Sequence, residues 1–177
     1  MGISPKEFSQ MQKRLESAAS GAEIEWGCNQ AHSVLLGIDP SLRATGYGII
    51  RAGSRREAPI LLECGTIKCP PKLLHSRCFL QIATTLRQAI EKHQPTVCIV
   101  EGLFYVHNLK TALVMGEARG AALLAAAEYG LDIFEMAPRR VKQAIVGYGG
   151  AQKLAVAKMV QRMLSLQELP EPDAADA

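Results

Sequence analysis

No two of the five cysteines stand in a Cys-x-x-Cys spacing, and their number is odd, which argues against both a disulfide framework and a zinc site. Cys28, Cys64, Cys69, Cys78 and Cys98 therefore read as free thiols of a reducing compartment. No apolar run approaches the ~18 residues of a membrane span, and the N-terminus lacks the basic-then-apolar layout of a secretory signal. A cytoplasmic location is expected. The chain also lacks internal repeats and low-complexity tracts. Nor is there an excess of charge of one sign: 20 Lys+Arg against 17 Asp+Glu leave a formal +3. With a pI of 8.6 that is too mild to announce a nucleic-acid binder. What is present is 177 residues, 48% hydrophobic and 21% charged, the composition of an ordinary soluble domain. Collagen-like, coiled-coil and wholly disordered readings are excluded.

Residues 1–32 mix polar and scattered apolar positions and read as an extension. Phe8, Met11 and Leu15 could form one short amphipathic helix there. From Ser33 the pattern sharpens. Residues 33–38 form a short apolar run ended by Asp39-Pro40, as expected of a strand buried on both faces. Residues 45–51 and 60–68 follow as two more strands, and such short connections permit only an antiparallel meander. Residues 73–93 carry apolar positions near the helical period and are closed by Pro95. Residues 97–100 make a fourth strand, ended by Glu101. Asn108 is placed to cap a helix running to about residue 129, with Gly130 as its stop. Residues 132–136 make a fifth strand. Helices are expected over 138–146, opened by Pro138, and over 152–166. The order predicts an α/β fold with one five-stranded mixed sheet, a three-strand antiparallel meander plus parallel strands, flanked by helices.

Asp39 and Glu101 each sit where a buried strand runs out of core. If the first and fourth strands are parallel neighbours, both acids fall on one sheet edge. Carboxylates at close range resist joint ionisation, so positive charge is expected beside them. Asp173 and Asp176, three residues apart, share a face if this segment is a helical turn. Taken singly, each acid could be a strand end, a cap or part of a solvated tail. Converging on one edge, four of them suit hard divalent cations bound through oxygen, the arrangement of two-metal phosphodiester cleavage.

The segments Gly37-Ile38-Asp39-Pro40 with Thr45-Gly46-Tyr47-Gly48, Glu101-Gly102-Leu103-Phe104, Gly116-Glu117-Ala118-Arg119-Gly120, Val141-Lys142-Gln143 with Val146-Gly147, and Pro172-Asp173-Ala174-Ala175-Asp176-Ala177 resemble, in order and spacing, the RuvC family of Holliday junction resolvases. The resemblance runs from about residue 33 to 177. It implies a ribonuclease-H-like fold, a homodimer, and magnesium-dependent nicking of two symmetric strands of a four-way DNA junction in recombination and repair. Two Mg2+ per active site are implied, with Mn2+ able to substitute, and a branch-migration helicase complex as a partner. Carried over by position, Asp39, Glu101, Asp173 and Asp176 resemble the metal-binding acids, with Lys142 beside them as a catalytic lysine. Phe104 resembles the aromatic that stacks on junction bases, and Lys142, Lys153 and Arg119 are candidates for contact with DNA. Arg119 could equally form a local salt bridge. Gly116 and Gly120 give their helix a small face, suited to tight packing on the sheet or to a two-fold contact.

Some positions depart from the family pattern. Residues 1–32 have no counterpart, Ser41 follows Asp-Pro where glycine is common, and Gly102 follows Glu101 where a second polar residue is common. The sequence ends at Ala177, where the helix bearing Asp173 and Asp176 should begin its apolar run, so a truncated, fraying last helix is expected. Two other readings stay open. One is an actin-like or sugar-kinase-type ATP-binding domain, because residues 39–46 also resemble a phosphate loop; that reading needs a second domain and a second glycine loop. The other is a non-catalytic junction-binding relative.

Overall fold

The computed structural model describes residues 32–53, 57–102 and 108–177. Phe104 and, save His32, the N-terminal extension lie outside the described residues. Five strands form one sheet: β1 (Val34–Asp39), β2 (Ala44–Arg51), β3 (Ile60–Lys68), β4 (Val97–Glu101) and β5 (Asp132–Met136), in the order β3-β2-β1-β4-β5. The meander β1–β2–β3 is antiparallel, and β4 and β5 continue the sheet in parallel from β1. The short links between the first three strands and the helical crossovers between the others dictate this arrangement.

Alternation along each strand decides what lies on each face. Leu36 and Ile38 of β1, Tyr47 and Ile49 of β2 and Cys98 and Val100 of β4 join one buried cluster. Helix α1 (His75–His93) closes that cluster with Cys78, Ile82, Leu86 and Ile90, and helix α2 (Leu109–Glu128) with Ala118, Ala122, Ala125 and Ala126. Arg87 of α1 pairs with Glu128 of α2 at 2.6 Å. The expected caps are present: Asn108 Oδ1 accepts from the Lys110 amide at 2.9 Å, and Gln94, left-handed at φ 49°, ends α1 just before Pro95. Leu74 and Leu80, counted in the apolar period of α1, are exposed, since the helix needs only one covered stripe.

The opposite face of the sheet carries α3 (Pro138–Val146), α4 (Lys153–Met163) and the short α5 (Pro172–Asp176). Helix α4 stops earlier than its apolar period suggests, because the chain turns at Ser165, which takes a φ of 52°. No helix among the described residues is long and apolar enough to cross a membrane.

A polar brace ties the outer strands to the end of α1. Glu63 of β3 accepts from Tyr47 Oη at 2.9 Å and Lys92 Nζ at 2.7 Å, and bonds His93 Nε2 at 2.8 Å. It sits beside a bulge, where β2–β3 register shifts between Ile49 and Ile50. The Lys92 and His93 hydrogen bonds lower the Glu63 pKa to about 2, against an opposing push from burial. A carboxylate with a depressed folded-state pKa contributes stability above its unfolded value, 4.5, and loses it as pH falls towards about 2. Glu63→Gln should therefore lower the melting temperature at neutral pH, with the deficit closing between about pH 4.5 and pH 2. A deficit independent of pH would assign Glu63 to packing alone.

Candidate active site

Parallel pairing of β1 with β4 aligns Ile38 with Val100. The next residues along the two strands, Asp39 and Glu101, therefore stand side by side at the carboxyl edge of the sheet. Both lie on the face away from α1 and α2, and Glu101 borders an apolar cavity of about 280 Å³ beneath α3, α4 and α5. The turn after Asp39 is closed locally: buried Thr45 donates its hydroxyl to the Ser41 carbonyl at 2.5 Å and accepts from the Ser41 amide at 3.2 Å. Arg43 anchors the same turn to the carbonyls of Pro70 and Leu73 at 2.7 and 3.0 Å. Serine at position 41 is thus accommodated without opening the turn.

The second pair of acids arrives by a close backbone approach. Gly37 and Gly48 are register partners, and Gly46 pairs with Asp39, so three glycines pave the sheet beside the first acid. A Cβ on Gly46 would meet the Asp173 carbonyl oxygen at 1.9 Å, and one on Gly37 the Ala177 oxygen at 1.9 Å. Only a strip without side chains lets α5 lie this low. Ala174 and Ala175 are buried beneath the turn, and the Ala175 amide bonds the Glu171 carbonyl at 2.9 Å. Glu171 is itself held by Lys68 at 2.6 Å. The last turn, expected to fray, is helical and seated here by packing.

Charge balance explains the side-chain positions. Lys153, the first residue of α4, donates to Asp173 Oδ1 at 2.8 Å and lies 3.2 Å from Asp176 Oδ2. Burial works against its ammonium, but the hydrogen bonds to the two aspartates outweigh it and raise its pKa above the usual lysine value. Burial also raises the Asp176 pKa, with Lys153 pulling the other way. Glu101 is pushed up to about 8 by burial, then by its hydrogen bond with Asp39 and by the charges of Asp39 and Asp176; Lys142 of α3 opposes this. The expected positive partners are therefore both present, one on α3 and one on α4.

Among the described residues, no three His, Cys, Asp or Glu side chains converge closely enough to hold a metal ion as they stand. Asp173 and Asp176 are turned onto an ammonium, and burial and the neighbouring Asp39 favour the protonated form of Glu101. The donor chemistry nonetheless fits hard divalent cations: oxygen ligands only, held together at an energetic cost that added positive charge would relieve.

Six expected residues thus gather in one place: Asp39, Glu101, Asp173, Asp176, Lys142 and Lys153. Arg119 lies apart from them. It hydrogen-bonds Glu135 on β5, has a side chain only 17% exposed, and acts electrostatically on Cys98, which faces the α1–α2 core. Its partners are those of the local salt bridge. In the sequence, glycines 37, 46 and 48 and Thr45 stand only as letters of a motif. Their signal was alternation within strands, which puts all three glycines on one face.

A family model described as "Crossover junction endodeoxyribonuclease RuvC" matches residues 35–177. The protein of that description from Akkermansia muciniphila is 44% identical over 143 residues, 81% of this chain and 84% of the relative. That from Vibrio vulnificus is 44% identical over 145 residues, covering 82% of each. Among solved structures, T. thermophilus RuvC in complex with Holliday junction substrate is similar with a TM-score of 0.75 at 33% identity, over 82% of this chain and 88% of the other. The yeast mitochondrial Holliday junction resolvase Ydc2 shares the fold at a TM-score of 0.53 and 14% identity, over 80% of this chain and 74% of the other.

A carboxyl whose pKa is raised on folding stabilises the fold below its unfolded value, here 4.5, and loses that contribution as pH climbs through about 8. Glu101→Gln, which mimics the protonated acid, should raise the melting temperature of the metal-free protein at about pH 8.5 by a few degrees and hardly change it near pH 5. Identical melts of variant and parent at both values would show that Glu101 carries no buried-charge penalty.

Proposed function

Because this chain belongs to the RuvC family of crossover junction endodeoxyribonucleases, with its ribonuclease-H-like fold, we propose that it resolves four-way DNA junctions by metal-dependent hydrolysis of two symmetric phosphodiester bonds. The observation that carries this reading is the gathering of four carboxylates and two lysines at one sheet edge. Asp39, Glu101, Asp173 and Asp176 would hold two Mg2+ ions, for which Mn2+ can substitute. Bound there, the cations supply an activated water and charge neutralisation at the leaving oxygen.

The chain's own groups prepare that chemistry. The two strands hold Asp39 and Glu101 at fixed separation, and the glycine floor fixes the height of Asp173 and Asp176 above them. Lys142 acts electrostatically on both Glu101 and Asp176. It is therefore positioned to hold a scissile phosphate and to stabilise charge developing on it. Lys153 keeps the aspartates of α5 oriented and would face the DNA. Phe104, three residues past Glu101, is assigned to stacking on junction bases. A phosphate-loop role for residues 39–46 is not favoured, since this turn is closed on itself by Thr45 and leads to carboxylates.

Cutting two equivalent strands needs two sites related by a two-fold axis. Helix α2 supports a homodimer: Leu109, Leu113 and Leu124 are exposed on it, and an added Cβ on Gly116 or Gly120 would meet nothing within 4 Å. The alanines of the same helix are the part that packs on the core. A second copy laid along the leucine–glycine face would bury it, and a branch-migration helicase complex is the expected larger assembly.

Asp39→Asn should bind a synthetic four-way junction like the parent while nicking it with magnesium more than ~100-fold slower, since even partners outside the metal shell cost 10–100-fold. Lys142→Ala should slow nicking of saturated junction by roughly 10²–10³ with a much smaller change in affinity. Parent-like cleavage by both variants would remove the site from the reaction. Separately, Leu113→Asp should sediment as a monomer at concentrations where the parent is a dimer; an unchanged sedimentation coefficient would exclude α2 from the interface.

A further inference from the structure

Between Glu135 and Glu168 the sequence contains no acidic residue, yet it contains Arg139, Arg140, Lys142, Lys153, Lys158 and Arg162. This is the α3–loop–α4 unit, and it bears both lysines of the acid site. At the tip of the unit, in the loop joining the two helices, stands Tyr148, the most exposed aromatic among the described residues at 69%. An isolated exposed tyrosine needs no explanation. This one is presented by a constructed turn.

Three glycines build that turn. Gly147, left-handed at φ 79°, ends α3 and lets the chain reverse. A Cβ on Gly149 would come within 3.0 Å of the Arg139 carbonyl oxygen, so the loop is folded back on the first turn of α3. A Cβ on Gly150 would lie 2.7–2.9 Å from the Tyr148 hydroxyl and ring carbons, so the ring lies over Gly150 and a side chain there would displace it. The Ala151 amide closes the turn on the Tyr148 carbonyl at 3.2 Å. The ring lies over Gly150 with its outer side open, and Lys153, whose ammonium contacts Asp173 and Asp176, follows Gly150 by three residues.

We propose that Tyr148 is a substrate-contacting residue, a stacking platform for an unpaired base of the DNA strand led to the site by α3 and α4. A ring on a segment that carries six bases and no acid of its own can recognise a nucleobase by its π-face, while the cations of the same helices take the phosphates. Duplex DNA keeps its bases stacked and offers no such partner; a branched structure with splayed bases does. Tyr148 therefore contributes to discrimination between branched and linear DNA. The assignment rests on the junction-cleaving reading given above.

The test uses the full chain on a four-way junction carrying 2-aminopurine at the positions flanking the crossover, and on a linear duplex. Tyr148→Ala should weaken junction binding roughly 5- to 150-fold, the range that stacking of one base supports. Duplex affinity should stay within about twofold, and the variant should quench or release 2-aminopurine fluorescence differently from the parent. Tyr148→Phe should restore both. Gly150→Ala, which keeps the ring but removes its seat, should shift junction affinity in the same direction. Melting temperatures should be unchanged, since the side chain is exposed. If Tyr148→Ala matches the parent in affinity and fluorescence while Asp39→Asn still abolishes nicking, the stacking role is wrong and the nuclease reading stands. If the parent neither prefers nor nicks the junction, both are overturned.

Discussion

Four carboxylates held within one small volume repel one another, and this repulsion is the constraint that the rest of the structure answers. Water would screen it at the surface, but Asp176 is only 10% exposed and Glu101 is half-buried, so screening is weak. The chain resolves the problem in two ways at once. Glu101 keeps a proton that an ordinary glutamate would lose well below neutrality, and Lys153 lends its ammonium to Asp173 and Asp176. Each device is a provisional substitute for cationic charge. Stability alone does not call for such an arrangement, because replacing a buried acid by an apolar residue is often neutral or favourable for stability, whereas the divalent cations proposed above would relieve the repulsion directly.

Holding the acids together also dictates features of the sheet that have no chemistry of their own. Strand pairing fixes Asp39 next to Glu101, since a one-residue slip would turn either side chain to the α1–α2 core. The remaining two acids come from a five-residue helix, too short to be stable alone. Its geometry must come from the surface beneath it. Glycines at 37 and 46 provide that surface by letting backbone meet backbone, and the buried methyl groups of Ala174 and Ala175 fill the contact. Two positions with no functional group therefore determine where two functional groups stand.

Much of this was legible in the sequence because the relevant signals are local. The apolar runs before Asp39 and Glu101, the short links of the meander, the Asn108 cap and the Pro138 start each specify one element, and together they specify an antiparallel meander plus parallel strands, while the adjacency of β1 and β4 comes from the fold. The acids were legible because each ends a strand or shares a helical turn. Two kinds of feature were not. The partner of Arg119 depends on which face of the sheet α2 covers, and Glu135 is sixteen residues away on another element. The end of α4 depends on a left-handed serine that no propensity favours. The glycine floor was visible as letters and invisible as a surface, since its meaning requires knowing what lies 1.9 Å from an absent Cβ.

The modest net charge can now be divided by location. With the four acids proposed to hold metal set aside, 20 basic residues face 13 remaining acids, an excess of seven per chain. That excess is not spread evenly: α3 and α4 carry six bases and no acid of their own, and Lys142 and Lys153 connect them to the site. A polyanion approaching the protein meets these helices as its most favourable surface, and binding there releases counterions in proportion to the phosphates neutralised. On the function proposed above, the same surface leads to a cluster whose carboxylates would repel phosphate unless cations were bound. Attraction on the helices and repulsion at the acids would then let DNA be held before the site is charged with metal. Cleavage would in turn need the cations to cancel the very carboxylate charge that draws them in, so that binding and cutting would be separable by chemistry already built into the fold.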